Sequence, residues 1–337
     1  MLKSIITIFI LCSLGCKKAD VSAANKFIKP SDENIEYVGR WDKSNSEKYH
    51  SYWGGAYFKI KFNGNLLVID LAQTVNIYVK IDNNPEVLYE KAIGSVKITP
   101  DLLSDGIHEV QVIAKFQDDE IELTGLEMNS DGELLQAEKS TQWVEFIGDS
   151  ITSGDQTSKG NTSAYGWLVG ESLGIKHTQI SYCGIPLVNG NYYNYVGAPK
   201  IGMESAYFNL MQPNHQPNVD WNFGQKIPNL IVINIGTNDI WLNVTPSNFK
   251  LRYTLFIQKI RQKLPKVNIV LMIPFSGAYQ NEIRDMIKND FSADQQIKII
   301  ETQGWLKSVD FADGAHPNDN GHKIIADKLF STINSYL

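Results

Sequence analysis

The chain has 337 residues, 43% of them hydrophobic and 20% charged, with a net charge of −6. This is an ordinary globular balance, sized for one large domain or, more readily, two. The acidic balance and the lack of a long basic run argue against a nucleic-acid partner.

Residues 1–16 read as a targeting segment. Lys3 precedes the apolar run Ile5-Ile6-Thr7-Ile8-Phe9-Ile10-Leu11, which is too short to span a bilayer and suits the hydrophobic region of a signal peptide. Ser13-Leu14-Gly15-Cys16 follows and resembles a bacterial lipoprotein cleavage box, which makes Cys16 the expected lipidation site. An ordinary secretory signal is the alternative. On the lipoprotein reading the protein is extracytoplasmic and held to a membrane by its N-terminal lipid. Residues 17–30 then read as a polar tether. With Cys12 and Cys16 in this segment, Cys183 stands alone, so no intrachain disulfide framework is expected. No Cys/His cluster has zinc spacing, and neither a metal nor a cofactor is expected.

Residues 31–138 have the pattern of an all-β domain. Ala56, Phe58, Ile60 and Phe62 alternate with polar positions. Asn63-Gly64-Asn65 follows and then Leu66 to Leu71, which predicts a strand, a hairpin turn and a second strand. Val75 to Ile81 alternates again, as does Val110 to Phe116 after the turn Ser104-Asp105-Gly106. Ile121, Leu123, Leu126 and Met128 predict a last strand broken near Gly125. Short strands separated by turns argue a β-sandwich, with a jelly roll compatible. Trp41, Trp53 and Tyr57 form a candidate sugar-binding face, against the simpler reading that they are core. His50 and His108 are isolated.

Residues 142–337 alternate strands and helices, as expected for a parallel sheet covered on both faces. Val144 to Ile147 runs into Gly148-Asp149-Ser150. A helix over Tyr165 to Leu173 precedes a strand over His177 to Tyr182, which ends in Cys183-Gly184-Ile185-Pro186. Residues 189–226 are irregular. Leu230 to Ile235 is an apolar run of the kind buried on both faces, and it ends in Gly236-Thr237-Asn238-Asp239. A helix carrying Phe249, Tyr253, Phe256, Ile257 and Ile260 stops at Pro265. Strands over 268–273 and 298–301 lead to Asp313-Gly314-Ala315-His316-Pro317 and a closing helix.

Ser150, Gly184 and Asn238 each follow a strand end, and His316 lies in the final loop. Parallel strands share one C-terminal rim, so these residues can meet. Acyl transfer needs such a set: Ser150 Oγ as nucleophile, His316 as base, and the backbone N–H groups of Ser150 and Gly184 with the Asn238 amide as oxyanion donors. Asp313, three residues before His316, can reach the imidazole.

These blocks resemble, in order and spacing, the four sequence blocks of SGNH (GDSL-type) hydrolases. A β-sandwich in front, with Val38-Gly39-Arg40, Trp53-Gly54-Gly55 and Phe62-Asn63-Gly64, resembles the N-terminal module of carbohydrate esterase family 2. The resemblance implies a jelly-roll-like sandwich followed by an α/β/α, flavodoxin-like hydrolase domain. It also implies a carboxylic ester hydrolase removing O-acetyl groups from xylan, glucomannan or their oligosaccharides. The same scaffold serves lipases, thioesterases and sialate-type acetylesterases. A surface glycan-binding lipoprotein with a secondary esterase site is a reading from another class. The sequence leaves open whether Asp313 or a backbone carbonyl orients His316.

Among the other residues, Asp149 reads as a turn or helix-start residue and Asp239 as a cap or a support for Asn238. Cys183 reads as a buried small hydrophobe and His322 as solvated. Trp241 is a candidate substrate platform or acyl-pocket wall, against core packing. Trp221, Tyr192, Tyr193 and Tyr195 are weaker candidates.

Overall fold

The computed structural model describes residues 25–99, 101–137, 140–215, 217–224 and 227–337. The expected signal segment and Cys16 lie outside the described residues. Ten antiparallel strands build the first domain: β1 Lys26–Ile28, β2 Glu36–Val38, β3 Trp41–Asn45, β4 Lys48–Ser51, β5 Tyr57–Asn63, β6 Leu67–Ile81, β7 Val87–Lys97, β8 Ile107–Ala114, β9 Glu122–Met128 and β10 Glu133–Leu135. They run in the order β10-β5-β8-β6-β9-β4-β3, with β2 beside β5, β7 beside β6 and β1 beside β9. The result is a nearly closed antiparallel sandwich.

Two-residue periodicity decides what faces inward. On β5, Phe58, Ile60 and Phe62 are buried while Lys59 and Lys61 turn outward. Burying three such side chains contributes on the order of 6 kcal/mol. The turn expected at Asn63-Gly64-Asn65 does not make a hairpin, because β8 lies between β5 and β6. Instead Gly64 N–H donates to the Gly106 carbonyl and Asn65 donates to Asp105, so the segment is a corner docked on another corner. The two strands expected over 66–71 and 75–81 are one strand. Its first half pairs with β9 and its second half with β8, and the register shift between Leu71 and Val75 marks the bend that carries it from one layer to the other. The break expected near Gly125 is a register shift within the single strand β9. The tether is shorter than expected, since Lys26–Ile28 already pairs with Leu126–Met128.

The second domain carries five parallel strands: β11 Trp143–Gly148, β12 Lys176–Ser181, β13 Leu230–Asn234, β14 Asn268–Met272 and β15 Ile297–Ile300. Their order, β12-β11-β13-β14-β15, is the doubly wound 2-1-3-4-5 arrangement. The helices are α1 Ser150–Ser153, α2 Tyr165–Leu173, α3 Met203–Ala206, α4 Thr237–Trp241, α5 Pro246–Lys263, α6 Gln280–Asp290 and α7 Asp319–Asn334. β13 is buried throughout and feeds both faces. Leu230 and Val232 pack in the core that includes α2 and α7, and Ile231 and Ile233 in the core that includes α5 and α6. Phe249, Tyr253, Phe256, Ile257 and Ile260 make the inner stripe of α5, which starts at Pro246 behind the Thr245 cap.

The two domains are joined by buried contacts. Arg40, fully buried, donates to the Asn209 carbonyl at 2.7 Å, sits among the rings of Trp53, Tyr207, Trp221 and Phe223, and faces Glu145 at 3.7 Å. Burial lowers the pKa of Arg40 and raises that of Glu145, and each charge opposes the shift of the other. Trp53 Nε1 donates to the Leu210 carbonyl at 3.0 Å, and Asn161 Nδ2 donates to the Gly54 carbonyl. Trp41 lies in the sandwich core, Trp53 in the α/β core, and Tyr57 against Trp167 and His177. All three rings are buried, as the core reading has it, which rules out the alternative of a sugar-binding face; bringing two cores together gave each a better apolar neighbour than water.

Candidate active site

The first, second and third strands of the sheet end at one level. Gly148 of β11 is in register with Ser181 of β12 on one side and Asn234 of β13 on the other. The strand order reverses here, and a ligand in an open α/β sheet binds at such a switch point. Gly148 has no room for a side chain, since a Cβ would come within 2.0 Å of Thr152 Oγ1. This close approach lets the chain turn directly into α1. Asp149 caps that short helix by accepting the Ile151 N–H at 3.1 Å. Burial raises the Asp149 carboxyl to about 6.

Ser150 is the first residue of α1. Its N–H is one of the first-turn donors that a helix leaves without an internal partner. Its Oγ lies 2.9 Å from His316 Nε2. His316 Nδ1 lies 2.7 Å from Asp313 Oδ2. The other oxygen, Asp313 Oδ1, accepts the N–H of Ala315 at 2.9 Å and of His316 at 2.8 Å. This explains the three-residue spacing: one oxygen closes the turn and the other meets the ring. Burial opposes ionisation of Asp313, but the His316 and Ala315 contacts prevail and hold its carboxyl at about 2. Ionised, it accepts the Nδ1 proton, which leaves Nε2 to accept the Ser150 hydroxyl proton. A carboxylate, and not a carbonyl, therefore faces the imidazole. Below the ring, the Phe311–Pro317 bridge and the Ala312 N–H to His316 carbonyl bond at 2.8 Å brace the loop.

Gly184 follows β12 with φ at +75°, where a side chain is strained and would also meet the Tyr195 hydroxyl. Asn238 lies on α4. Its Nδ2 donates to the Ile185 carbonyl at 3.0 Å, and its Oδ1 accepts the Tyr193 hydroxyl at 3.1 Å. The amide is thereby turned with its NH2 toward the Gly184 loop, and one of its two N–H bonds remains for a ligand. The Ser150, Gly184 and Asn238 donors thus come off three adjacent strand ends. The arrangement can hold an ester carbonyl beside a hydroxyl nucleophile and its base.

The sequence matches the GDSL-like Lipase/Acylhydrolase family over residues 144–329, more than half of the chain. The chain belongs to the GDSL-like lipase/acylhydrolase family. Residues 37–137 match the Carbohydrate esterase 2 N-terminal family. Among curated relatives, the cellulase/esterase CelE of Acetivibrio thermocellus is 25% identical over an alignment covering 91% of this chain and 40% of that protein. The chain thus spans well under half the length of that relative. The acetylxylan esterase / glucomannan deacetylase of Cellvibrio japonicus is 24% identical, covering 66% of this chain and 68% of the relative. In fold, the chain is similar to a family two carbohydrate esterase from Clostridium thermocellum solved with cellohexaose, with a TM-score of 0.77, 22% identity, and 90% and 100% of the two chains covered.

Within this GDSL-like acylhydrolase, other expectations are refined. Trp241, at the end of α4, is 69% exposed, which excludes core packing. Asp239 supports a loop and is no cap: it accepts the N–H groups of Leu187 and Val188. His322 is not solvated. It is buried under α2, its Nδ1 accepts the Tyr165 N–H at 3.1 Å, and burial lowers its pKa to about 4. A position in the first turn of a helix reads as exposed only until the neighbouring element is known. Cys183 is half-buried and not the fully buried residue expected, and desolvation pushes its thiol up. His50 and His108 are not isolated: His50 faces Glu120, and His108 sits between Asp82 and the Ser104 carbonyl. Of the weaker candidates, Tyr193 donates to Asn238 and the Tyr195 hydroxyl lies against Gly184, whereas Trp221 packs on Arg40. Sequence reasoning missed Asp155, whose carboxylate lies 3.8 Å from His316 Nε2, and Gln117, which reaches the rim from the β domain. Neither stands in a recognisable pattern.

Proposed function

We propose that this acylhydrolase is a serine esterase that removes O-acetyl groups from plant-type polysaccharides or their oligosaccharides. The observation that carries the reading is the continuous Ser150–His316–Asp313 relay, with contacts of 2.9 and 2.7 Å at the switch point of the sheet. In the proposed reaction Ser150 Oγ attacks the acetyl carbonyl carbon while Nε2 takes its proton. The tetrahedral oxyanion is met by the N–H groups of Ser150 and Gly184 and by the Asn238 amide. The bond from the acyl carbon to the sugar oxygen breaks as Nε2–H protonates that oxygen, which leaves as the sugar hydroxyl. Water then attacks the acetyl-enzyme, with His316 again as base, and acetate leaves. Asp313 holds the tautomer and stabilises the imidazolium.

The sugar acetate is supported by the pairing of this domain with a Carbohydrate esterase 2 N-terminal domain, and by the names of the relatives. The exposed Trp241 suits a platform for a sugar face. Lipidation at Cys16, placing the enzyme outside the cytoplasm on a membrane, completes the proposal. Radiolabelled fatty acid should enter the wild-type protein and not Cys16→Ala; equal labelling of both overturns that element. For the activity, acetate released from acetylated xylan and glucomannan is measured. Turnover of long-chain p-nitrophenyl esters in preference to acetyl esters, with no acetate from either glycan, would replace this reading with a lipase one.

A further inference from the structure

The loop Cys183–Val188 has no regular structure, yet it carries the Gly184 donor. It is held from two sides. From the α/β domain, Asp239 Oδ2 accepts the Leu187 N–H at 2.8 Å and Oδ1 accepts the Val188 N–H at 3.0 Å. Asp239 is completely buried, so it acts on the loop and not on a substrate. From the β domain, Gln117 Oε1 accepts the Cys183 N–H at 2.5 Å, one residue before Gly184. Beside it, Asp118 Oδ1 accepts the Tyr182 hydroxyl at 2.8 Å. Gln117 is itself buried, and its backbone lies so close to Gly54 that a Cβ there would come within 2.6 Å of Gln117 Cα. The packing of the sandwich therefore fixes where its amide oxygen stands.

We propose that Gln117 and Asp239 are positioning residues for the oxyanion hole, which makes the β domain part of the catalytic apparatus although it supplies no reacting atom. The Gly184 N–H belongs to the peptide between Cys183 and Gly184. Gln117 anchors the N–H on one side of that peptide, and Asp239 anchors two N–H groups on the other. The peptide between the anchors keeps little freedom to turn its N–H away from the developing oxyanion. Donors that need no reorganisation are the ones that lower a barrier. A misplacement of about 1 Å costs on the order of 10²-fold in rate, so loss of one anchor of two should cost about tenfold.

This inference rests on the esterase reading, and the test separates the two. Hydrolysis of p-nitrophenyl acetate by the wild-type full chain decides the reading; the variants decide the inference. Gln117→Met keeps the length of the side chain and removes the acceptor. It should lower kcat about tenfold with KM within about twofold. A boronic acid whose tetrahedral adduct on Ser150 fills the oxyanion position should bind about tenfold more weakly, with the melting temperature little changed. Asp239→Asn turns an amide NH2 against one of the two N–H groups and should show the same split; it carries the test if Gln117→Met does not fold. Unchanged kcat and boronate affinity, or a loss confined to KM, would overturn the proposal.

Discussion

The two domains meet the same rim in different ways. The α/β domain brings every proposed reacting group to it, Ser150 directly after β11 and His316 on the longer loop between β15 and α7. The β domain brings the buried amide oxygen of Gln117 and the exposed carboxylate of Asp118, which accept a backbone N–H and a hydroxyl of its neighbour. Chemistry is thus concentrated where strand ends converge, and part of the alignment is supplied from outside. Substitutions at the rim, Gln117 included, should therefore change kcat at nearly constant stability, and substitutions in the interface away from the rim, such as at Arg40, should do the reverse.

The largest expected effect tests the first half of that contrast. Asp313→Asn removes the acceptor that selects the Nδ1–H tautomer. It should lower kcat for p-nitrophenyl acetate by about 10²- to 10⁴-fold with the fold intact. A loss below tenfold would show that the exposed carboxylate is dispensable. Asn238→Ala should cost about 10²- to 10³-fold in kcat, read in the same assay. Arg40→Met probes the second half. It leaves Glu145 buried without its partner and should destabilise the protein by about 3–5 kcal/mol in chemical denaturation. Activity per folded molecule should fall far less than for the two rim variants. A collapse of kcat in a fully folded Arg40→Met protein would erase the distinction.

How much of this was legible in the sequence follows the same division. Ser150, Gly184, Asn238 and His316 could be found because each stands in a short local pattern after a strand, and parallel strands with helical crossovers have few topologies. The spacing of Asp313 from His316 was visible, but its contact with Nδ1 was not. In the β domain, alternation located β5, β6, β8 and β9 but not their partners, and the short strands β1 to β4 and β10 were not read. Asn63-Gly64-Asn65 carries a hairpin pattern, and only the insertion of β8 overrides it. The strand β7 is largely exposed and has no clean alternation, so nothing announced it. Trp41, Trp53 and Tyr57 read more readily as core than as a binding face, but which core each enters was not legible, because Trp53 and Tyr57 meet the other domain. Gln117 was unreadable, since its partner lies in the other domain.

His322 sharpens the comparison with the smallest effect, because it belongs to the α/β core and not to the rim. Its pKa is lowered to about 4, whereas an unfolded histidine titrates near 6.5. Above about pH 6.5 neither state holds the proton and its stabilising contribution is fully present. As pH falls from there through 4, the unfolded chain takes the proton first and up to about 3 kcal/mol is lost. Denaturation midpoints of wild type and His322→Asn between pH 7 and 4 check this. The wild type should show the additional slope, and equal slopes would mean that the buried imidazole does not titrate as described.

The central claim is that Ser150, aligned through His316, removes acetyl groups from a glycan. Acetate release from acetylated xylan and glucomannan, measured side by side for the wild type and a folded Ser150→Ala variant, tests it most directly. The account predicts release by the wild type on at least one of the two glycans and none above background by the variant. Equal release by both proteins, or none from either glycan by an active wild type, would contradict it.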